Sequence, residues 1–449
     1  MLPFIIRHFI FPMYQRRSHR TTLTALKRLR ESQNWPADRL EKWQEERLRH
    51  ILTHASRHVP YYRDLFARHG INPESAAGKD WSRIPLLSKE TARENFDRLQ
   101  ATDRPRLFIT GRSSGATGRP MTWRVDRGAE SVQHAVHLRG REGWGLRLGD
   151  PHVMIWGRDA FQGFRKQMRD LLIWNKRTFS AMELSADVSE TYYRKIRFYR
   201  PRFLRGYPSA LTRFAQLCES RGLPPKALSL HAVITTAEVL TLVQRQQLRD
   251  AYQCPVANEY GCSEVQCIAF ECPEGSMHIQ SDAVRVEFIK DGRPVKPGEL
   301  GEIVVTDLTN EVMPVIRYCT GDFGGPRDGL CACGRTLPLM ELTIGRTAEF
   351  ITLPDSRTIH TEIFTPDHDS ILFTHVQQFR ILHEAPARFR VQVVTASADS
   401  FASVREEFTR LITSQLGEGI EVAVERVTEI SRSPSGKQPY FVSQINPRS

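Results

Sequence analysis

A run of glycine and hydroxyl-bearing residues at 113–120 has the composition of a loop that binds phosphate groups. Its sequence is Ser-Ser-Gly-Ala-Thr-Gly-Arg-Pro, and it follows the apolar segment 107–110, as a loop follows a strand. Gly115 and Gly118 can adopt positive φ, which lets successive backbone N–H groups point at one anion. Further donors come from the side chains of Ser113, Ser114, Thr117 and Arg119. The run predicts a phosphate-binding loop without Walker spacing, and an ordinary surface turn is the alternative.

Five motifs, of which this loop is the first, resemble in order those of the adenylate-forming (acyl-adenylate ligase) superfamily. The other four are Glu-Tyr-Gly-Cys-Ser-Glu at 259–264, Tyr-Cys-Thr-Gly-Asp at 318–322, Ile-Gly-Arg at 344–346 and Ser-Pro-Ser-Gly-Lys at 433–437. Because the motifs extend from residue 113 to residue 437, the resemblance covers most of the chain.

Within that superfamily, three features are similar to the phenylacetate–CoA ligase-like branch, which includes proteins of capsule-polysaccharide biosynthesis. They are a helical leader before residue 100, the segment 205–209 and the segment 235–238. The resemblance implies an enzyme that uses ATP to activate a small carboxylic acid as an acyl-adenylate. It further implies transfer of the acyl group to a thiol, usually that of CoA.

The chemistry of adenylation explains which side chains are needed. A carboxylate must approach the α-phosphorus of a polyanion, so catalysis depends largely on electrostatic stabilisation. The resemblance assigns the β- and γ-phosphates to the loop at 113–120 and Mg²⁺ to Glu264, whose hard oxygen ligands suit that ion. It places Lys437 beside the reacting groups, where its charge offsets their repulsion. Arg346 is the third predicted catalytic residue, in contact with ribose or phosphate, and a surface salt bridge is its alternative.

The remaining nucleotide contacts follow from the same resemblance. Asp322 would accept the ribose hydroxyl groups, although an aspartate that caps a turn has the same sequence signature. Tyr260 would offer a flat face to adenine, although a core tyrosine is indistinguishable in sequence. The other predicted contacts are Gly261, Ser263, Ala237 and Glu238.

A second group of residues has the types and spacing of a structural zinc site. Cys272 precedes His278 by six residues, and the pair Cys331 and Cys333 follows about fifty residues later. Three thiolates and one imidazole form a closed tetrahedral set, which leaves no position for catalysis. Four unrelated side chains are the alternative, and Cys262 and Cys267 are rival ligands. We expect Cys218, Cys254 and Cys319 to lie in the core.

The hydrophobic pattern predicts an α/β fold with two domains. Domain 1–346 contains the helical leader, residues 1–100, and a nucleotide and substrate core at 101–346, with parallel α/β layers before residue 260 and antiparallel strands after Val284. Domain 347–449 is a small α+β lid that carries Lys437. The specific elements predicted are a helix from about Pro36 to Val59, strands at 284–289, 301–306, 376–382, 389–394 and 420–427, and a helix at 401–416.

Composition sets the class of protein. The chain has 449 residues, of which 40% are hydrophobic and 25% charged, as in globular proteins. Eight cysteines do not form a disulfide scaffold, and we find no signal peptide or membrane span, so a cytoplasmic location is expected. The net charge is +12, and residues 1–60 contain 12 Lys/Arg against 5 Asp/Glu, an excess of 7. A solvated helical face is the expected interpretation of this basic region, and weak contact with an anionic membrane surface or with nucleic acid is the alternative.

Two departures from the superfamily bear on the second half-reaction. Ala348 stands where many members have the first acidic residue of the hinge, and the glycine-rich stretch that follows the hinge in phenylacetate-activating members is replaced by Leu-Pro-Asp-Ser-Arg at 353–357. Adenylation is therefore better supported than transfer to CoA, and another acceptor, such as a carrier-protein thiol, an amine or a hydroxyl, stays open. A non-catalytic zinc-containing binding protein is a further alternative. Nucleic acid is not expected as a partner, because no recognition helix or aromatic-basic sheet is visible.

Overall fold

The structure is a computed structural model that describes residues 2–78, 81–103, 107–112, 121–157, 163–181, 184–346, 350–352, 358–360, 370–395, 397–417, 419–431 and 439–445. Its helices are α1 (Leu2–Ile5), α2 (Phe11–Arg17), α3 (Thr22–Ser32), α4 (Ala37–His58), α5 (Pro60–His69), α6 (Lys89–Glu94), α7 (Arg127–Glu142), α8 (Phe164–Trp174), α9 (Ala186–Tyr199), α10 (Pro208–Glu219), α11 (Leu242–Tyr252), α12 (Leu372–His375) and α13 (Phe401–Leu416). A π-helical turn, Ile6–Ile10, joins α1 to α2, and short 3₁₀ turns lie at Trp81–Arg83 and Pro225–Leu228.

The strands of the first domain are β1 (Phe108–Arg112), β2 (Thr122–Asp126), β3 (His152–Trp156), β4 (Lys176–Ser180), β5 (Phe203–Gly206), β6 (Ala232–Thr236), β7 (Val256–Cys262), β8 (Gln266–Glu271), β9 (Met277–Ile279), β10 (Val284–Lys290), β11 (Arg293–Pro294), β12 (Gly301–Asp307), β13 (Tyr318–Arg327) and β14 (Leu339–Arg346). They are followed by β15 (Phe350–Thr352), β16 (Thr358–His360), β17 (Val376–Ala385), β18 (Arg388–Thr395), β19 (Glu421–Arg426) and β20 (Phe441–Ser443).

Twelve strands form one continuous sheet in the order β11-β10-β12-β13-β14-β9-β8-β7-β6-β5-β3-β4. The strands from β4 to β7 are parallel to one another, and the rest of the sheet is antiparallel. All five residues of β6 are buried, as expected for a central strand covered by helices on both faces. The change from parallel to antiparallel strands falls between β7 and β8, so the antiparallel part begins earlier than Val284, where the sequence pattern predicted it.

Helices cover both faces of the parallel half. On one face, α9, α10 and α11 bury a cluster that includes Tyr193, Phe214 and Tyr252. On the other face, α3 and α7 pack with Phe203 and Phe270. The large aromatic side chains stabilise these layers because each removes a large apolar area from water.

The leader helices pack on the antiparallel half. Residues of α4 and α5 share a core with β10, β12 and β13 and with the β1–β2 hairpin, which brackets the predicted phosphate loop. The helix predicted from about Pro36 to Val59 is α4, which begins at Ala37 because Pro36 itself has extended ψ. Among helices of the described ranges, none combines the length and apolar composition required to cross a bilayer.

The region after residue 370 has its own sheet, with strand order β19-β18-β17-β20, and its own core. Along β18, Phe389, Val391 and Val393 are buried, whereas the residues between them are not. Alternate residues of a strand lie on the same side, so this buried side of β18 faces one helix. That helix is α13, which spans the predicted residues 401–416 and buries Phe408 and Ile412. The boundary predicted between residues 346 and 347 stays a prediction.

Candidate active site and Cys/His cluster

The carboxyl ends of the parallel strands meet at one edge of the sheet, which we call the carboxyl edge. There β3 ends at Trp156, β5 at Gly206 and β6 at Thr236. Open α/β sheets bind ligands at this edge, because loops diverge there and leave a crevice. β7, which carries Tyr260, is the next strand of this sheet after β6, and β13, which carries Asp322, lies in the antiparallel half of the same sheet.

A tyrosine and an aspartate from two different motifs make direct contact. The Tyr260 hydroxyl group donates to Asp322 Oδ2 at 3.1 Å and lies 3.4 Å from Thr320 Oγ1. Thr320 accepts the backbone N–H of Asp322 at 3.1 Å and donates to the Ile303 carbonyl at 2.8 Å. Burial and the nearby Asp322 carboxylate raise the pKa of Tyr260 well above its ordinary value, so the hydroxyl stays a donor. The pair is fixed in place by β7, β12 and β13.

The predicted magnesium ligand is also held by a tyrosine. Glu264 is 4% exposed, and its Oε1 accepts the Tyr318 hydroxyl group at 3.2 Å. Burial, with the Glu264 charge, raises the pKa of Tyr318 above its ordinary value. A buried carboxylate with one oxygen hydrogen-bonded is a hard-oxygen donor suited to a divalent cation. Tyr318 itself was not among the predicted site residues.

The hairpin between β7 and β8 requires a glycine next to Tyr260. The register shifts between Tyr260 and Gly261, and a Cβ on Gly261 would lie 1.8 Å from the Gln266 carbonyl oxygen. Any larger residue would force the two strands apart. This bulge sets the directions in which the side chains of Tyr260 and Glu264 project from the sheet.

The loop after β6 has an uncommon backbone conformation. Ala237 has φ of +66°, a left-handed value that non-glycine residues rarely adopt and that clusters at functional sites. Glu238 follows, and its Oε2 accepts the backbone N–H of Ser209 at 3.1 Å, at the start of α10. The contact joins the loops after β5 and β6, which belong to the segments 205–209 and 235–238.

A buried charge cluster near the carboxyl edge was missed by the sequence analysis. Glu259 Oε1 lies 2.5 Å from Arg205 Nη2, and its Oε2 lies 3.3 Å from His137 Nδ1 on α7. Burial opposes ionisation of Glu259, but attraction by Arg205 and His137 outweighs it and holds its pKa well below the ordinary value. Burial lowers the pKa of His137. Nothing in the sequence links residues 137, 205 and 259, because only strand pairing and helix packing bring them together.

Several predicted site residues lie outside the described part of the chain. They are Ser113, Ser114, Gly115, Thr117, Gly118, Arg119 and Lys437, together with the hinge residue Ala348. Ser263 lies in the β7–β8 turn, and its carbonyl accepts the Gln266 side chain at 3.2 Å. The backbone of Arg346 closes β14, where it pairs with Asp322, and its side chain is outside the described residues.

The four predicted zinc ligands come together at the other end of the antiparallel strands. The ligand atoms of Cys272, His278, Cys331 and Cys333 all lie within 4.8 Å of one another. Cys272 Sγ is 3.5 Å from Cys331 Sγ, and Cys333 Sγ is 3.3 Å from His278 Nε2. Cys272 and His278 belong to the β8–β9 hairpin, and the other two lie in the loop between β13 and β14.

This geometry fits a tetrahedral zinc ion. Zn–S bonds of about 2.3 Å place two tetrahedral sulfur ligands about 3.8 Å apart, near the spacing of Cys272 and Cys331. Burial lowers the pKa of His278 to about 4, so its imidazole is neutral, as a metal ligand must be. Its Nδ1 lies 3.3 Å from the Leu337 carbonyl, a contact that orients the ring with Nε2 toward the thiols.

The other cysteines are not part of this cluster. Cys262 and Cys267, the predicted rivals, lie on β7 and β8 and are absent from the group of close ligand atoms in the described ranges. Cys218 is buried, as expected, whereas Cys254 and Cys319 are only partly buried. The expectation that these two lie fully in the core is therefore wrong, because Cys254 lies in the connection between α11 and β7, and Cys319 is the second residue of β13.

The amino-acid sequence is similar to those of named proteins from other organisms. Phenylacetate-coenzyme A ligase of Thermus thermophilus is 29% identical over 342 residues, which cover 74% of this chain and 76% of that protein. Protein CapK of Staphylococcus aureus is 24% identical over 306 residues, 66% of this chain and 64% of CapK. No family model matches the chain.

Solved structures share the fold over almost the whole chain. 2-Hydroxyisobutyryl-CoA ligase in the postadenylation state aligns with a TM-score of 0.76, covering 92% of this chain and 91% of that one at 21% identity. The same ligase in the thioesterification state gives a TM-score of 0.62 at 20% identity, covering 91% of each chain. The α/β fold with a smaller second unit is confirmed.

Proposed function

We propose that the chain is a member of the phenylacetate–CoA ligase-like branch of the adenylate-forming superfamily, and that it activates a carboxylic acid with ATP and transfers the acyl group to CoA. The observation that carries this proposal is the convergence of Tyr260, Glu264, Tyr318 and Asp322 at one edge of the sheet. These residues come from two motifs that are about fifty residues apart in sequence. Relatives named as CoA ligases support the same reaction.

In the first half-reaction, a carboxylate oxygen of the acid attacks the α-phosphorus of ATP and pyrophosphate leaves. Mg²⁺ would offset the negative charge of the phosphates, and Glu264 is the residue we assign to hold it. The Tyr318 hydroxyl group, 3.2 Å from Glu264 Oε1, orients the carboxylate by occupying one of its oxygens. Glu264 would then present its other oxygen to the cation.

The nucleoside would lie beside the Tyr260–Asp322 pair. An ionised aspartate only accepts hydrogen bonds, so Asp322 suits the two ribose hydroxyl groups. The Tyr260 hydroxyl group fixes Oδ2 of that carboxylate from one side. Its ring, which is only partly buried, would supply an apolar face for the adenine base.

The remaining catalytic roles fall on residues outside the described part and rest on the motifs. We assign the β- and γ-phosphates to the loop at 113–120, and the charge between carboxylate and α-phosphate to Lys437. Arg346 would contact ribose or phosphate. In the second half-reaction, the CoA thiolate attacks the acyl carbon and AMP leaves.

The Cys/His cluster has a separate role in this proposal. We infer that Cys272, His278, Cys331 and Cys333 bind one zinc ion that ties the β8–β9 hairpin to the β13–β14 loop. With four protein ligands the ion has no open position, so it would stabilise the fold without taking part in the reaction.

ATP–pyrophosphate exchange over a panel of carboxylic acids tests the first half-reaction and identifies the acid. We expect exchange that requires both Mg²⁺ and one class of acid. Absence of exchange with every acid, from protein shown to be folded by circular dichroism, would contradict the proposal.

The acceptor needs its own measurement. Pre-formed acyl-AMP is mixed with the protein and CoA, and formation of the thioester is followed by mass spectrometry. We expect the thioester to form slowly, because Ala348 replaces an acidic hinge residue. Brisk pyrophosphate exchange without thioester at any CoA concentration would instead point to a carrier-protein thiol, an amine or a hydroxyl as acceptor.

A further inference from the structure

Residues 2–17 form one continuous helical run whose inner side is anchored in the protein. The π-helical turn between α1 and α2 places Ile6 and Phe11, five residues apart, on the same side, and both are fully buried. Phe11 packs edge-on against Trp174 of α8, with ring centroids 4.9 Å apart. Arg7 donates from Nε to the Leu148 carbonyl at 2.9 Å. The run is therefore a fixed part of the fold.

Its outer side is apolar and exposed. We call this the outer face, and its large apolar members, with their exposed fractions, are Leu2 (45%), Phe4 (58%), Ile5 (36%), Phe9 (63%) and Met13 (57%). The Phe4 and Phe9 ring centroids lie 6.3 Å apart, so the two rings form one patch. A patch of large apolar side chains on a rigid helix marks an interaction site.

The charge around the outer face is of one sign. Residues 1–30 contain no Asp or Glu, and the helical run ends in Arg16 and Arg17, both exposed. Acidic groups that reach this region from elsewhere are already paired: Asp150 with Arg7 at 3.2 Å, and Glu130 with Arg20 at 2.8 Å. The exposed charge beside the apolar patch is thus positive.

The neighbouring helix α8 has the same character on its exposed side. Phe164 and Leu172 are 76% and 51% exposed. Arg165, Lys166 and Arg169 are exposed on the same helix. Two packed helices therefore both combine exposed apolar residues with cations.

We propose that the outer face binds the surface of an anionic lipid bilayer, with Phe4, Phe9 and Met13 at the boundary of the acyl chains and Arg16 and Arg17 at the lipid phosphates. Helices with one apolar and one basic side bind in this way, because burial of apolar area adds to attraction by anionic headgroups. The helix lies in the plane of the interface, since its inner side is packed on α8.

Charge complementarity favours lipid over a second copy of the chain. A symmetric dimer through this face would bring two positively charged faces together, and such like charges repel. An anionic bilayer supplies the opposite charge together with an apolar phase. Lipid therefore matches both properties of the face.

The proposed orientation leaves the candidate active site accessible. Arg7 and Gly149 anchor the helical run beside the residues that lead into β3, at the amino end of the parallel strands, and a Cβ on Gly149 would come within 2.8 Å of the Pro3 carbonyl oxygen. Glu264 and Asp322 belong to the opposite, carboxyl edge. Acid, ATP and acceptor could reach that edge while the outer face is bound.

Sedimentation of the full chain with lipid vesicles tests the proposal. We expect binding to vesicles of equal parts phosphatidylcholine and phosphatidylglycerol, and little binding to phosphatidylcholine alone. Because Phe4 and Phe9 do not contribute to the core, Phe4→Ser and Phe9→Ser should each weaken binding roughly tenfold without changing the melting temperature. Arg16→Gln with Arg17→Gln should weaken it too, and should reduce its dependence on salt.

The matched control is Phe198→Ser, which removes a phenylalanine that is 88% exposed on α9. It should leave vesicle binding unchanged. Equal loss with Phe198→Ser, or no preference for the anionic vesicles, would overturn the proposal. So would analytical ultracentrifugation without lipid that shows a dimer abolished by Phe9→Ser while vesicles fail to bind, since the face would then join two copies. Vesicle binding is measured without substrate, so its failure would leave the proposed ligase activity untouched.

Discussion

The candidate active site and the Cys/His cluster lie at opposite ends of the same antiparallel strands. β8 begins beside the Tyr260–Glu264 segment and ends beside Cys272. β13 begins with Tyr318 and carries Asp322 in its first half, and the loop that follows it contains Cys331. Both ends thus join the β7–β9 region to the β13–β14 region, but they do so with different chemistry.

The two ends therefore differ in role: the site end is arranged to bind a ligand, and the cluster end is arranged to stabilise the fold. At the site end, oxygen atoms are positioned by tyrosine hydroxyl groups and retain acceptor capacity for a cation or a ribose. At the cluster end, three thiols and one imidazole face one another and would satisfy a metal completely. Substitutions at the site end should therefore change turnover, and substitutions at the cluster end should change stability.

The largest effect is expected from removal of charge at the site end. Glu264→Gln and Lys437→Ala should each lower ATP–pyrophosphate exchange by roughly a hundredfold or more, because charge stabilisation dominates this chemistry. Melting temperatures should stay near that of the parent. Glu406→Gln and Lys290→Ala, at exposed positions, are the matched controls and should retain full exchange. Near-parent exchange in Lys437→Ala would refute the role of that lysine.

An intermediate effect, on stability, is expected at the cluster end. Cys331→Ser should release the zinc and lower the free energy of unfolding by roughly 3 kcal/mol, because a structural metal contributes its binding free energy to folding. Turnover below the melting temperature should change little. Zinc is measured by atomic absorption after purification without added metal, and unfolding by urea titration.

Cys254→Ser serves as the control for this experiment, since its thiol is outside the cluster. It should keep one zinc per chain. Parent protein that is metal-free yet equally stable would remove the zinc hypothesis and leave four packed side chains in its place.

The smallest effect is expected from Tyr260→Phe, which removes one hydrogen bond to Asp322 and keeps the ring. A hydrogen bond to a charged group contributes about 1.5 kcal/mol at the lower end of its range, so we expect a rise of roughly tenfold in KM for ATP. Tyr193→Phe, which removes a hydroxyl group that donates to the Pro224 carbonyl far from the site, should leave KM unchanged. An unchanged KM in Tyr260→Phe would show that Asp322 needs no such partner.

Local pattern was enough to predict the elements and the family. The helix over 401–416 and the strand near 284–289 follow from periodicity of apolar residues, and the structure places them there. The ordered motifs predicted an adenylate-forming relative, which the comparisons confirm. Turn chemistry also acts locally: Asp291 and Gly292, an Asp-Gly pair of the kind that favours tight hairpins, both have positive φ between β10 and β11. The roles of Lys437 and of the loop at 113–120 stay predictions.

Contacts between distant segments were decided only by the tertiary structure. Tyr318 beside Glu264, and His137 and Arg205 around Glu259, depend on the pairing order of the twelve strands and on how α7 packs against them. The outer face of residues 2–17 depends likewise on a π-helical turn that rotates Ile6 and Phe11 to one side. Sequence determines such contacts only through the whole fold, because hydrophobic periodicity specifies which side of an element is buried but not which element covers it.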